Sequence, residues 1–305
     1  MTLTPTRLAL ALFLFAAPGA TAQEAAPKPA SESTRAANAA VARAYDLAQS
    51  GDFEEAAHGL VAQLPDGMIK NDKGDEVWNL SRFGFIAGEA PDTVNPSLWR
   101  QEKLNNHAGL FKVADGIWQI RGYDMANMTL VAGKTGWIVI DPLLTAEAAR
   151  ATLAFAMETL GRKPVTAIIY THSHADHFGG VRGVVAEEDV LSGKVPIIAP
   201  DGFMDHAIAE NVLAGNAMTR RAHYMYGTPL PISPQGNVGS GLGKGLSNGT
   251  IGLIAPTDIV RKTGEERVVD GVRIVFQMAN GSEAPAEFTF YFPELKALCL
   301  SEVVT

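Results

Sequence analysis

The sequence predicts an α/β fold of two β-sheets covered on their outer sides by helices, and three observations point to it. Short β-rich runs stand on both sides of a helical middle. Residues 145–160 carry the start and stop signals of a helix. A strand-like run over 165–170 then leads directly into a polar cluster, the place where α/β folds set their sites.

The 305 residues give room for one large domain or two small ones, and 47% hydrophobic content suffices for a core, which excludes disorder over most of the chain. The formal charge of -8 arises from 33 acidic against 25 basic residues with no Lys/Arg stripe, so nucleic acid is not expected as a partner. Arg7, the apolar run 8–17 and the small-residue site Ala20-Thr21-Ala22 read as a signal peptide over 1–22, with Gln23 opening an exported, periplasmic or secreted chain. That run is shorter than the about 20 residues a membrane span requires, and no later stretch reaches that length. Cys299 is the only cysteine, so no internal disulfide forms; its apolar neighbours Leu298 and Leu300 fit a buried structural thiol.

Along the chain, residues 23–35 (QEAAPKPASESTR) read as a flexible leader, and 36–64 as two short amphipathic helices broken at Gly51-Asp52. The polar segment 66–106, interrupted by Pro91 and Pro96, is expected to be an irregular connection. The catalytic domain is thus expected over 108–305, after a leader, helices and connection over 23–107. Strands are expected at 117–120, 128–132 and 137–140 as a meander. Thr145 then caps a helix that Gly161 ends. Further strands are expected at 165–170 and 195–199, with a helical stretch over 203–226. The Gly-rich stretch 236–249 fails as a P-loop, because Gly245 follows Lys244 and Val238 replaces the first glycine; a mobile loop near the site entrance is expected instead. The remaining expected strands are 251–254, 266–269, 273–278, 287–292 and 297–300.

His172, His174, Asp176 and His177 place three imidazoles and a carboxylate within one short segment, too much titratable material for packing. Neutral imidazole and carboxylate are what Zn²⁺ or a similar divalent ion takes as ligands, and a loop leaving a strand can aim all four at two adjacent ions. Phe178-Gly179-Gly180 is expected to open a helix. Asp141, which ends a strand before Pro142, suits two duties: orienting a metal-bound histidine through its ring N–H, or forming the turn. His58, His107, His206 and His223 lack matched partners and read as surface or packing residues.

The segment 171–180 (THSHADHFGG) resembles the HxHxDH signature of the metallo-β-lactamase superfamily, which implies an αββα sandwich with metals at one edge of the sheets. Within it the chain is similar to the alkyl sulfatases that act on dodecyl sulfate, through 93–101 (TVNPSLWRQ), 121–127 (RGYDMAN), 135–143 (TGWIVIDPL) and 279–287 (ANGSEAPAE). The resemblance implies two divalent metal ions, zinc by default, the first held by His172, His174 and Glu283, the second by Asp176 and His177, with Glu302 bridging. It implies hydrolysis of an alkyl sulfate, a small-molecule substrate, by a metal-activated water, and no residue is assigned as the general acid. Another hydrolase of the superfamily (lactamase, lactonase or thioesterase) and a metal-binding module without turnover stand as alternatives. Because Thr305 follows Glu302 so closely, the fold is expected to be truncated on its C-terminal side, without the family's further metal-binding histidine, its dimerisation region and its lipid-carrier-like domain; a homodimer is expected of the complete protein.

Overall fold

In the computed structural model, which describes residues 27–304, the first helix starts where a cap permits it. Ser31 accepts from the Thr34 amide and starts helix α1 (Glu32–Ala44) inside the segment expected to be a flexible leader. Gly51 opens helix α2 (Gly51–Ala57), and strand β1 (Leu60–Ala62) follows where only helix was expected. The expected signal peptide and its cleavage point lie outside the described residues.

The stretch 66–106 is a correction to the expected irregular connection. Strands β2 (Met68–Lys70) and β3 (Glu76–Asn79) pair antiparallel. Asn95 caps helix α3 (Pro96–Leu104), with Pro96 in the first turn where its missing N–H costs nothing. What orders the stretch is a small apolar cluster of Phe83, Ile86, Val94 and Trp99, completed by Val238 from far along the chain. Its members follow no helical or strand period, so periodicity could not reveal it.

The main sheet has eight strands. Strands β4 (Gly109–Ala114), β5 (Ile117–Arg121), β6 (Met128–Ala132) and β7 (Trp137–Ile140) form an antiparallel meander, of which β4 was not foreseen. Helix α4 (Ala146–Leu160) starts at Thr145, whose hydroxyl accepts from the Ala148 amide, and ends at Gly161 (φ 102°), as the sequence predicts. It crosses to strand β8 (Val165–Ile169), which lies parallel to β7. After helix α5 (Glu187–Leu191), strand β9 (Ile197–Pro200) extends the parallel part. The helical stretch at 203–226 is α6 (Phe203–Ile208), a single π-helical turn (Ala209–Leu213) and α7 (Gly215–Tyr226). Strand β10 (Asp258–Val260) pairs with β9, whereas 251–254, expected as a strand, is irregular. The second sheet is the meander β11 (Glu266–Val269), β12 (Val272–Met278), β13 (Phe288–Phe292) and β14 (Ala297–Cys299).

Strand β7 shows why the two sheets hold together. All four of its residues are buried, since both faces are covered. Trp137 and Val139 face the cluster that includes Ala148, Leu153 and Ala156 of α4. Ile138 and Ile140 face the cluster between the sheets, with Ile274, Phe276, Phe288 and Phe290 of the second sheet. Cys299 packs on that second cluster, and burial pushes its thiol up to about 12, as befits a structural rather than a reactive cysteine.

The Gly-rich stretch reaches the site entrance as expected, and buried polar contacts join it to the body of the fold. Lys244 donates to the Glu102 carbonyl (2.6 Å) and pairs with the Glu102 carboxylate (3.1 Å), both residues being almost fully buried. Ser247 binds Asp124, whose oxygens also accept from the Met125 and Leu144 amides; burial pushes this carboxyl up to about 6 against those hydrogen bonds.

Burial raises the Glu102 carboxyl, and Lys244 opposes the rise. Lys244→Met should therefore lower stability by about 3 kcal/mol at neutral pH, because it leaves a buried carboxylate unpaired. A raised folded-state pKa means stability that is complete at low pH and is lost as pH rises through that value, so the deficit should shrink on acidification. Urea unfolding across pH checks this, and Lys244→Met combined with Glu102→Gln should recover most of the loss.

Candidate metal centre

The site is built at the carboxyl ends of β7 and β8. Asp141 leaves β7 in a left-handed conformation (φ 53°), fixed by its amide donating to the Ile169 carbonyl (3.0 Å). Beyond β8 the chain enters a tight turn, Ala175–His177, whose His177 amide bonds back to His174. Phe178 anchors the turn in an aromatic cluster with Tyr170 and Phe203. Where Gly179 and Gly180 were expected to open a helix, a single 3-10 turn begins after Gly180; a Cβ on Gly180 would collide with the Pro142 carbonyl. Glycine there lets the loop press against residues 142–145, and the turn spans Val181–Gly183.

Asp141 sets the chemistry of two histidines. One oxygen accepts from the Thr171 amide (2.8 Å). The other accepts from the Thr171 hydroxyl (2.7 Å) and from His177 Nδ1 (2.9 Å). Since the Thr171 hydroxyl spends its proton on Asp141, its oxygen accepts from His172 Nδ1 (2.8 Å). Both rings thus carry a proton on Nδ1, which leaves Nε2 as the atom that would face a cation. The Nε2 atoms of both rings are buried; that of His172 has no hydrogen-bond partner among the described residues, and that of His177 faces Glu302, a setting that suits a cation. Both duties open to Asp141 from the sequence have contacts that fit them: its side chain meets His177, while its left-handed backbone and its carbonyl, which accepts from the Leu143 amide (2.9 Å), form the turn.

Around the two Nε2 atoms stand the carboxylates. Glu283 lies 3.1 Å from His174 Nδ1 and 3.7 Å from His172 Nε2. Asp176 lies 3.6 Å from His177 Nε2. Glu302 offers one oxygen to His177 Nε2 (3.2 Å) and the other to His172 Nε2 (3.8 Å), the disposition of a bridging carboxylate. Ser301 aims it, turning the chain (φ 55°) and donating to the Phe288 carbonyl. The donor atoms of His172, His174, Glu283 and Glu302 all lie within 4.8 Å of one another. All six expected ligands therefore converge, and such a nitrogen and carboxylate set suits divalent metal ions.

Charge in the cluster points the same way. Burial and the neighbouring His177 and His174 push His172 far down, so it is neutral and free to ligate. Burial alone would depress His174 and His177 too, but Glu283, Glu210 and Asp176 raise the first, and Asp176, Asp141 and Glu302 raise the second well above its ordinary value. Glu302 in turn is held below the usual carboxylate range by His177, against the effect of burial. The carboxylates thus favour protons on His174 and His177; a divalent ion held there would supply that compensating charge instead.

Sequence reasoning missed Glu210. It lies 3.6 Å from His174 Nε2 and is placed by the π-helical turn, an irregularity that leaves no mark in the residue pattern. His58, His107 and His206 stand apart from the centre, as expected, while His223 lines the cleft that leads to it.

Residues 121–296 match the family model described as the metallo-beta-lactamase superfamily. A linear primary-alkylsulfatase of Pseudomonas sp is 53% identical over 90% of this chain and 41% of its own length. An alkyl/aryl-sulfatase of Saccharomyces cerevisiae is 48% identical over 91% of this chain and 43% of its own. The solved structure of a stereoselective inverting sec-alkylsulfatase from Pseudomonas sp. superposes with a TM-score of 0.85 at 47% identity, over 89% of this chain and 43% of that one. The chain thus spans less than half the length of these relatives.

Asp141→Asn should weaken metal binding by about 10- to 100-fold, since its amide nitrogen must face either His177 Nδ1 and the Thr171 hydroxyl, which reverses the relay, or the Thr171 amide, another donor. Competition against a chromogenic chelator measures it; an affinity equal to the parent's would show that Asp141 has no hold on the ligands.

Proposed function

We propose, on the premise that this chain belongs to the metallo-β-lactamase superfamily, that it hydrolyses alkyl sulfate esters of the dodecyl sulfate type to alcohol and inorganic sulfate. The observation that carries the proposal is the identity with alkylsulfatases over nine-tenths of the chain, 90% for the Pseudomonas relative. The site is compatible in shape: a cleft of about 760 Å³ opens on His174, Asp176, Glu283 and Glu302 and is walled by Trp78, Phe83, Met125, Met218, Met225 and Leu242. A charged head at the carboxylate and imidazole end and an apolar tail along that wall are what such a cleft accommodates.

In this proposal His172, His174 and Glu283 would hold one ion, Asp176 and His177 would hold the other, and Glu302 would serve both. When bound, the pair of ions supplies an acidified water and the positive charge that ester hydrolysis requires. Asp141 keeps both buried imidazoles in the ligating tautomer, directly and through Thr171. The apolar side chains of the cleft would lie along the alkyl chain. Zinc is the proposed metal, as the ion most often held by imidazole and carboxylate. Export to the periplasm or medium is proposed from the leader at 1–22, and a homodimer from the resemblance to the alkyl sulfatases.

His174→Ala should remove most bound metal and cut sulfate release from dodecyl sulfate by more than about 100-fold, beyond the loss that an outer hydrogen bond gives. Its circular dichroism should stay that of the parent, because the ligand loop lies at the sheet edge. Full metal occupancy with unchanged turnover would remove the assignment, and opening of nitrocefin or a lactone without sulfate release would favour another hydrolase. In ¹⁸O-water a single turnover should label one product only, sulfate for attack at sulfur or alcohol for attack at carbon; label in both would argue against one defined water.

A further inference from the structure

Glu287 is fully buried, yet it is not among the residues assigned to the metals. Its backbone forms an isolated antiparallel bridge with His172, and the next residue, Phe288, donates its amide to the Thr171 carbonyl (3.2 Å). The residue thereby fastens the start of β13 to the strand end that carries the first histidine. Its side chain turns to the loop between β12 and β13, where one carboxylate oxygen accepts from the Glu283 amide (3.0 Å) and the Ala284 amide (3.1 Å). One residue thus grips both His172, through the backbone, and the base of Glu283, through the carboxylate.

The loop does not need a carboxylate for closure. Ala279 donates to the Glu287 carbonyl (2.9 Å), Gly281 to Ala284 (2.9 Å) and Ser282 to Ala279 (3.1 Å), so backbone bonds already shape it. Among the described residues the other oxygen of Glu287 is buried with no hydrogen-bond partner, a costly state to maintain for loop stability alone. What the carboxylate adds is a fixed distance between two candidate ligands, whose donor atoms stand 3.7 Å apart. Buried groups that orient ligands tune a metal's affinity in this way.

We propose that Glu287 is a positioning residue that sets the separation of His172 and Glu283 and thereby the affinity of the first metal position. The inference rests on the assignment of those two residues as ligands of one ion. Glutamine keeps the reach and offers a carbonyl oxygen to the two amides, whereas aspartate keeps the charge but falls one methylene short.

Zinc affinities of the whole chain, measured by chelator competition for the parent, Glu287→Gln and Glu287→Asp, test it. The Gln variant should stay within about 3-fold of the parent, while the Asp variant should lose about 10- to 100-fold at one metal position only, the position that His174→Ala also empties. Thermal unfolding of the metal-free Asp variant should remain cooperative, with a midpoint close to the parent's. Parental affinities in the Asp variant overturn the proposal, as do equal losses at all bound metal or loss of cooperative unfolding, which mark a packing residue. A parent chain that binds no divalent metal would instead sink the ligand assignment, a distinct result.

Discussion

The centre depends on the two protons that Asp141 fixes. An imidazole can ligate only through the nitrogen that lacks hydrogen, and a buried ring has no solvent to settle which one that is. Asp141 settles it twice, by accepting from His177 Nδ1 and, through the Thr171 hydroxyl, from His172 Nδ1. The left-handed backbone of Asp141 at the end of β7 places its carboxylate across from the Thr171 amide at the end of β8. The constraint is therefore sheet geometry: parallel strands side by side, both ending at the same level, one giving the orienting group and the other the ligands.

The second sheet completes what the first begins. Glu283 comes from the loop before β13 and Glu302 from just beyond β14, so two carboxylates reach the histidines from the opposite layer. The apolar cluster between the sheets, from Ile138 and Ile140 to Phe276, Phe288 and Phe290, holds the two halves in register. A centre assembled across a rigid interior is preorganised, because ligands on packed strand ends have little freedom to lose on binding. The remaining wall of the cleft comes from β3, α7 and the Gly-rich stretch, the last pinned by the buried Lys244 and Glu102 pair and by Asp124.

Much of this was legible in the sequence because local signals suffice for it. Thr145 and Gly161 bound a helix at its observed ends, and the runs at 128–132 and 137–140 are strands at their expected limits, since cap chemistry and continuous apolar character are properties of neighbours. The HxHxDH spacing gave four of the candidate ligands, and the resemblance added Glu283 and Glu302, all of which the structure gathers. Illegible were features that depend on distant partners. Val238 completing the cluster of Phe83 and Trp99, the short edge strands β1 and β10, and the buried polar contacts of the Gly-rich stretch have no period or motif to announce them. Residues 251–254 look like a strand because Ile and Leu recur there, but no neighbouring strand takes their hydrogen bonds. Glu210 and Glu287 are ordinary glutamates in sequence and become particular only through a π-helical turn and an isolated bridge.

The most direct test is a crystal structure of the zinc-loaded chain with anomalous data collected at the zinc absorption edge. The account predicts two peaks, one at about 2.0–2.2 Å from His172 Nε2, His174 Nδ1 and Glu283, the other at that distance from His177 Nε2 and Asp176, with Glu302 between them. Zinc on Nδ1 of His172 or His177, or no peak at the cluster in a folded protein, would contradict it.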